Sequence, residues 1–297
     1  MNAAVLCLPG AERLAERLRK RLDAEPASLA IHRFPDSERC VRITGDVAGR
    51  AVVLVAALDR PDEKLLPLLF AAATARDLGA TTVGLVAPYL PYLRQDRRFH
   101  PGEAISGRLF LSLLNAEFDW LVTVEPHLHR IGALDEILTI PATAVAAAPA
   151  LAGWIQAQVS APLLVGPDAE SARWVEQVAA ATNAPWTVME KTRLGDRRVE
   201  VRAPDLSKWR DRTPVLVDDI ISTGRTLVVA ARKLMEAGLP PPAAAVVHGL
   251  CVADAWDEIR EAGLVQLAAC NTVDRAERSI DVGPLVAAAV RNHLAAH

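Results

Sequence analysis

Residues 215–227 constrain this chain more than any other stretch. Val215, Leu216 and Val217 follow Pro214, two adjacent carboxylates (Asp218, Asp219) come next, and Ser222, Thr223, Gly224, Arg225 and Thr226 lead into a helical pattern. The apolar run reads as an interior parallel strand, and the two acids fall at its carboxyl end, where open α/β sheets place ligands. The small polar residues then turn the chain so that backbone N–H groups and hydroxyls converge on one small space. With the positive end of a helix starting near Thr226, that space suits a dianionic phosphate. The carboxylates cannot bind the phosphate. One strand end away, they suit the vicinal hydroxyls of a sugar, or a cation. The alternative is an ordinary strand–turn–helix with solvated acids.

The order strand, polar loop, helix, glycine, strand occurs twice, over residues 52–90 and again over 214–252. Two similar α/β units therefore lie head to tail, each with a mainly parallel sheet and right-handed crossovers. Only the second copy has the Ser-Thr-Gly-Arg-Thr loop. The first has Asp59, Arg60, Pro61, Asp62, Glu63 and Lys64, whose acids would repel phosphate, so the halves divide their labour. A stretch without helical periodicity at 141–149 reads as the connector, giving domains 1–145 and 146–297. Leu14, Leu18 and Leu22 recur at helical spacing as the buried stripe of a surface helix, and Gly283-Pro284 opens a closing helix.

Composition bounds the partners. With 297 residues and 51% hydrophobic content the chain can form two cores, and a formal charge of −3 offers no basic field for nucleic acid or an anionic membrane. Any phosphate site must be locally basic. The four cysteines, Cys7, Cys40, Cys251 and Cys270, are far apart and form no Cys-x-x-Cys pair; they read as buried thiols in a reducing compartment. No run of eighteen apolar residues and no charged, apolar leader occurs, so a cytoplasmic protein is expected.

The 215–227 stretch resembles the phosphoribosyl-pyrophosphate (PRPP) loop of type I phosphoribosyltransferases and of ribose-phosphate pyrophosphokinases, the PRPP synthetases. Other segments resemble the synthetases alone. Arg94, Gln95 and Asp96 follow a strand end as in their nucleotide segment, which the transferases lack. Arg94 can pair with triphosphate oxygens through its planar fork, and Gln95 offers an amide to an adenine edge. Residues 33–38 resemble the family loop that reaches a neighbouring subunit's nucleotide site, with Phe34 against the base, Asp36 beside it and Glu38 near the exocyclic amine.

Three further matches complete the resemblance. His127, in Glu125-Pro126-His127, corresponds to the family histidine that holds the magnesium of the ATP complex, although many relatives have Asp-Leu-His there and His129 lies close by. Asp168 ends a strand as in the family's Ser-Pro-Asp and is assigned to the metal or its water shell; Glu170 and Ser171 replace two glycines that often follow, a departure that points to a divergent, archaeal-like branch. Lys191 and Arg193 match the catalytic Lys-x-Arg of a flexible loop, where two cations can stabilise charge on a transferring group.

The resemblance implies two tandem type I phosphoribosyltransferase-like domains and a ribose-phosphate diphosphokinase. ATP would lie on Phe34, Asp36, Glu38, Arg94, Gln95 and Asp96. Ribose 5-phosphate would lie on Asp218, Asp219 and residues 222–226, with Mg2+ as cofactor at His127 and Asp168. It also implies at least a homodimer and a terminal helix returning to the amino-terminal half. Two alternatives share the fold: a phosphoribosyltransferase consuming PRPP, and a non-catalytic synthetase-associated subunit.

Overall fold

The computed structural model describes residues 2–128, 132–193, 199–250, 255–273 and 279–296; at 191–193 and 199–201 it describes the backbone path. The first half of the chain forms β1 (Ala3–Cys7), α1 (Glu12–Leu22), β2 (Glu25–Pro26), β3 (Ser28–Arg33), β4 (Arg39–Thr44), β5 (Ala51–Val55), α2 (Pro61–Asp77), β6 (Thr82–Val86), α3 (Ser106–Glu117), β7 (Trp120–Val124) and β8 (Ala142–Val145). Then follow α4 (Ala148–Gln158), β9 (Pro162–Gly166), α5 (Ala172–Thr182), β10 (Trp186–Val188), β11 (Glu190–Arg193), β12 (Val199–Arg202), β13 (Thr213–Ile221), α6 (Arg225–Glu236), β14 (Ala243–Gly249), α7 (Ala255–Glu261), β15 (Gln266–Cys270), β16 (Ser279–Ile280) and α8 (Gly283–Ala296). Two compact units result: residues 1–146 with 272–274 and 282–297, and residues 147–271 with 275–281. The terminal helix α8 thus belongs to the first unit.

Each unit is built on a six-stranded parallel sheet, in the order β2-β1-β5-β6-β7-β8 in the first and β10-β9-β13-β14-β15-β16 in the second. The central strands are apolar on both faces because helices cover both. In the first unit α2 and α3 share a core with Leu6, Leu54, Leu85 and Leu121. On the other face α8 packs against α1, β7 and β8. There the Trp120 indole stacks on the His293 ring, centroids 5.0 Å apart and planes 3° apart, and His293 Nε2 lies 2.9 Å from Thr143 Oγ1. Gly84 makes room for that indole, since a Cβ at position 84 would fall inside the ring. In the second unit α6 and α7 cover one face, and α4 and α5 the other.

Several sequence expectations need correction. The 141–149 stretch is no connector: residues 142–145 pair with β7 as an edge strand, and α4 begins at Ala148. The polar loop read at residues 59–64 ends early, because α2 starts at Pro61, with proline in its first turn and Asp62 and Glu63 at its positive end. The strand expected to end at Val217 runs on through both acids to Ile221, because Ile220 and Ile221 go on pairing with β14. Of the cysteines, Cys270 is buried and Cys7 half-buried, but Cys40 is exposed, on the outward side of the β3–β4 ribbon; Cys251 lies outside the described residues. No helix among the described residues is long and apolar enough to cross a membrane.

Candidate active site

In the second unit the chain leaves β9 and β13 side by side, and the helices that follow, α5 and α6, lie on opposite faces of the sheet. That is the point in a doubly wound sheet where ligand crevices open. Asp218 and Asp219 sit half-buried near the end of β13, with the Asp219 N–H donating to Asp218 Oδ1 at 3.0 Å. Gly224 then takes a left-handed conformation, φ +71°, as the residue from which α6 departs, and no side chain caps that helix. Among the described residues, the N–H groups of residues 222–226 and the hydroxyls of Ser222, Thr223 and Thr226 donate to nothing. Helix starts leave such donors unpaired unless a cap, water or anion takes them. The loop therefore presents a set of donors with no partner among the described residues.

Asp168 follows β9 across the same crevice. Its Oδ1 accepts from the N–H groups of Glu170 (3.1 Å) and Ser171 (3.3 Å), and Ser171 Oγ donates back to the Asp168 carbonyl at 2.6 Å. The amides that two glycines would expose are thus occupied by the chain's own carboxylate. A Cβ at Gly166 would strike Ser171 Oγ, which explains the glycine one turn earlier.

The three acids bear on one another. Burial first, then the Asp219 carboxylate and more weakly that of Asp168, push the Asp218 carboxyl up from 3.8 to about 8. The folded chain then holds a proton that the unfolded chain has released across that window, so ligand-free stability is expected to fall as pH rises from about 4 to 8. The slope is at most about 1.4 kcal/mol per pH unit. Urea melts at pH 5, 6, 7 and 8 should show this slope in the wild type and a flatter one in Asp218→Asn. Parallel slopes would mean that Asp218 ionises normally.

Lys191 and Arg193 fall on β11, which pairs antiparallel with β12 so that residue 191 faces Val201 and residue 193 faces Val199. Their side chains, and residues 194–198 with Gly195, lie outside the described residues. So does His129.

The first unit carries the remaining expected residues. Beyond β6 and β7 the chain runs on in register, the Val124 N–H donating to the Pro88 carbonyl at 3.0 Å, so the segment with Arg94, Gln95 and Asp96 and the segment with His127 leave one sheet edge side by side. Gln95 is held by its own backbone, its N–H on the Tyr92 carbonyl (2.8 Å) and its carbonyl on the Gly107 N–H (3.3 Å) at the start of α3. Arg94 and Gln95 are exposed; Asp96 and His127 are half-buried.

Phe34, Asp36 and Glu38 occupy the tip of the β3–β4 hairpin, whose inner face packs beside α2. The tip closes on itself: the Phe34 N–H meets the Glu38 carbonyl at 2.9 Å, Glu38 N–H donates to Asp36 Oδ1 at 3.1 Å, and the Arg33 guanidinium donates to Ser37 Oγ at 3.0 Å. Phe34 is left 42% exposed. Ser37 (φ +76°), Tyr92 (φ +64°) and Glu125 (φ +37°) each hold a left-handed backbone that non-glycine residues avoid. One lies in each of the three segments expected to meet nucleotide, and such strain gathers where function needs a fixed geometry.

One partnership escaped the sequence reading. Tyr92 OH bonds to Asp62 Oδ1 of α2, thirty positions away, and that bond first, then burial, pushes the phenol up to about 12. No local pattern announces a contact at that separation. As for a metal, no group of three or more His, Cys, Asp or Glu side chains among the described residues could hold one. A hard divalent ion here would take most of its oxygens from phosphates and water, which is how magnesium is usually held at triphosphates.

Known proteins resemble this chain over nearly its whole length. Residues 3–117 match the model for the N-terminal domain of ribose phosphate pyrophosphokinase, and residues 133–259 match the phosphoribosyl transferase domain. The ribose-phosphate pyrophosphokinase of Methanopyrus kandleri is 35% identical over 97% of this chain and 98% of its own length. That of Methanothermobacter thermautotrophicus is 34% identical over 93% and 95%. The crystal structure of phosphoribosylpyrophosphate synthetase from Mycobacterium smegmatis superposes with a TM-score of 0.87 over 100% of both chains at 24% identity, the same fold. On this match of both domains and of nearly the whole length, the chain belongs to the ribose-phosphate pyrophosphokinase family.

Proposed function

We propose that this protein transfers the β,γ-diphosphoryl group of ATP to the C1 hydroxyl of ribose 5-phosphate, forming PRPP and AMP. The observation that carries this reading is the empty-handed cradle at residues 222–226 beside Asp218 and Asp219. It offers five amides and three hydroxyls to a phosphate and two carboxylates to sugar hydroxyls, in an enzyme family of matching name. In this reading the 5-phosphate sits on the start of α6, and Asp218 and Asp219 accept from the ribose 2- and 3-hydroxyls, which orients C1. The raised Asp218 carboxyl makes it the better placed of the two to share or take a proton.

The first unit supplies the nucleotide's partners. Arg94 binds triphosphate oxygens, Gln95 and Asp96 meet the nucleoside, and Phe34 stacks on adenine with Asp36 and Glu38 at its polar edge. The C1 oxygen attacks the β-phosphorus, the bond to the α-phosphoryl oxygen breaks, and AMP leaves. Lys191 and Arg193 neutralise charge on the transferring group. Positioning and electrostatics suffice, with no covalent enzyme intermediate. Mg2+ would neutralise phosphate charge when bound with ATP, and His127 and Asp168 are the residues that the family resemblance assigns to it.

Incubation with Mg-ATP and ribose 5-phosphate should yield AMP and PRPP in equal amounts. A phosphoribosyltransferase would form no AMP in that mixture and would consume PRPP with a base; a non-catalytic subunit would do neither.

The exposed hairpin tip supports a shared site, in which Phe34, Asp36 and Glu38 serve a neighbouring chain of a homo-oligomer. Glu38→Ala and Lys191→Ala should each be impaired alone, and a mixture should regain activity because some interfaces pair two intact parts. With subunit exchange shown by native mass, a mixture no more active than the sum of its parts would place the whole nucleotide site in one chain.

A further inference from the structure

The duplication gives the first unit a crevice equivalent to the sugar-phosphate crevice of the second. It opens where the chain leaves β1 and β5, whose following helices, α1 and α2, lie on opposite faces of the sheet. A cavity of 260 Å³ lies there, lined by the turn after β1, the turn after β5, and Arg39, the first residue of β4 beside the hairpin tip. In sequence the acids of the second turn argue against an anion. In the structure only one of those acids, Asp59, is neutralised, and Asp62 does not line the cavity. Asp59 and Lys64, with side chains only 12% and 14% exposed, are locked together at 2.5 Å, and Asp62 is bonded to Tyr92.

Arg60 and Arg39 are the cations left over, and Lys64 keeps an unused donor. Lys64 Nζ donates to Asp59 and to the Ala57 carbonyl, and an ammonium has three donors, so one remains. Gly10 keeps that nitrogen uncovered, since even a Cβ there would come within 3.5 Å of it. Arg60 lines the cavity with its nearest carboxylate, Asp59, at 4.0 Å. Arg39 is half-buried, lines the same cavity, and has no hydrogen-bond or ionic partner among the described residues. A partly desolvated guanidinium without a counter-charge is costly. Against these stands Glu63, exposed on the lining.

We propose that this crevice binds a phosphate group, free or as a small monoester, between the guanidinium forks of Arg39 and Arg60 and the third donor of Lys64. The volume lies at the small end for ligand pockets, which suits phosphate or a three-carbon ester and excludes a nucleotide. The proposal stands on the fold and these charges, independently of the reaction assigned above. Because Arg39 directly follows Glu38, an occupied crevice would also tie the tip end of the hairpin to α2.

Equilibrium dialysis of the full chain with labelled inorganic phosphate tests it. Arg39→Ala/Arg60→Ala should weaken one class of phosphate site by at least about tenfold, while the phosphate displaced by ribose 5-phosphate is unchanged. Gly224→Val should do the reverse. Circular dichroism would confirm that both variants fold, as expected for the two arginines at the cavity rim. Wild-type binding in Arg39→Ala/Arg60→Ala, or loss of all phosphate binding in Gly224→Val, would overturn the proposal. Displacement of the Arg39-dependent phosphate by glycerol 3-phosphate would identify a monoester as occupant; resistance to it would identify free phosphate.

Discussion

Lys191→Ala is expected to lower kcat by about 10³-fold, close to 4 kcal/mol of transition-state stabilisation, while KM for ribose 5-phosphate stays within about twofold. The proposed sugar cradle uses the start of α6 and the acids of β13, so removing Lys191 leaves the ground-state contacts in place. What it removes is a cation for charge that develops only as the diphosphoryl group moves. Positions 191 and 193 are two residues apart on one strand of the β11–β12 ribbon. Steady-state kinetics with both substrates varied, and single-turnover release of AMP, would measure the effect. Near-normal turnover would remove Lys191 from the reaction.

Gly224→Val is expected to raise KM for ribose 5-phosphate by about 10²-fold, with KM for ATP changed far less. The sequence suggests that a side chain there would fill phosphate space. The structure names a different obstacle. Position 224 has φ +71°, and a Cβ would stand 2.6 Å from Cδ1 and 2.8 Å from Cγ1 of Ile259 on α7. Valine would have to twist the backbone out of the left-handed region or push α7 away, and either change spoils the alignment of the amides. The same strain should cost about 2–4 kcal/mol of folding stability, readable as a lower urea midpoint. Gly224→Ala carries the backbone penalty with a smaller clash, and Ile259→Ala in that background should recover part of the stability. If the two KM values rise together, the loop is not a phosphate site specific to the sugar.

The pattern of residues along the chain was enough for the duplicated α/β plan, the parallel sheets and the loop at 222–226. Each rests on local rules: apolar runs too continuous for a half-exposed strand, a glycine at a turn, small donors ahead of a helix. Where a local rule met a long-range one, the long-range one prevailed. The apolar run Val215 to Val217 suggests a strand that ends at the acids, yet pairing with β14 carries it through both to Ile221. Proline and alanine at 141–149 suggest a connector, yet the edge of β7 recruits residues 142–145 as a strand. The charge of the first copy's loop was read residue by residue as acidic, and only the fold holds Lys64 against Asp59 and turns Asp62 to the Tyr92 hydroxyl. Burial decides the state of Asp218 in the same way, since no spacing in sequence tells how much water a carboxylate keeps. Identity and periodicity along the chain thus set which groups are present and which elements carry them. Their charge, their partners and their freedom to meet a ligand were decided by what the fold places within a few ångströms, because hydrogen bonds and desolvation act over that distance and pay no regard to separation in sequence.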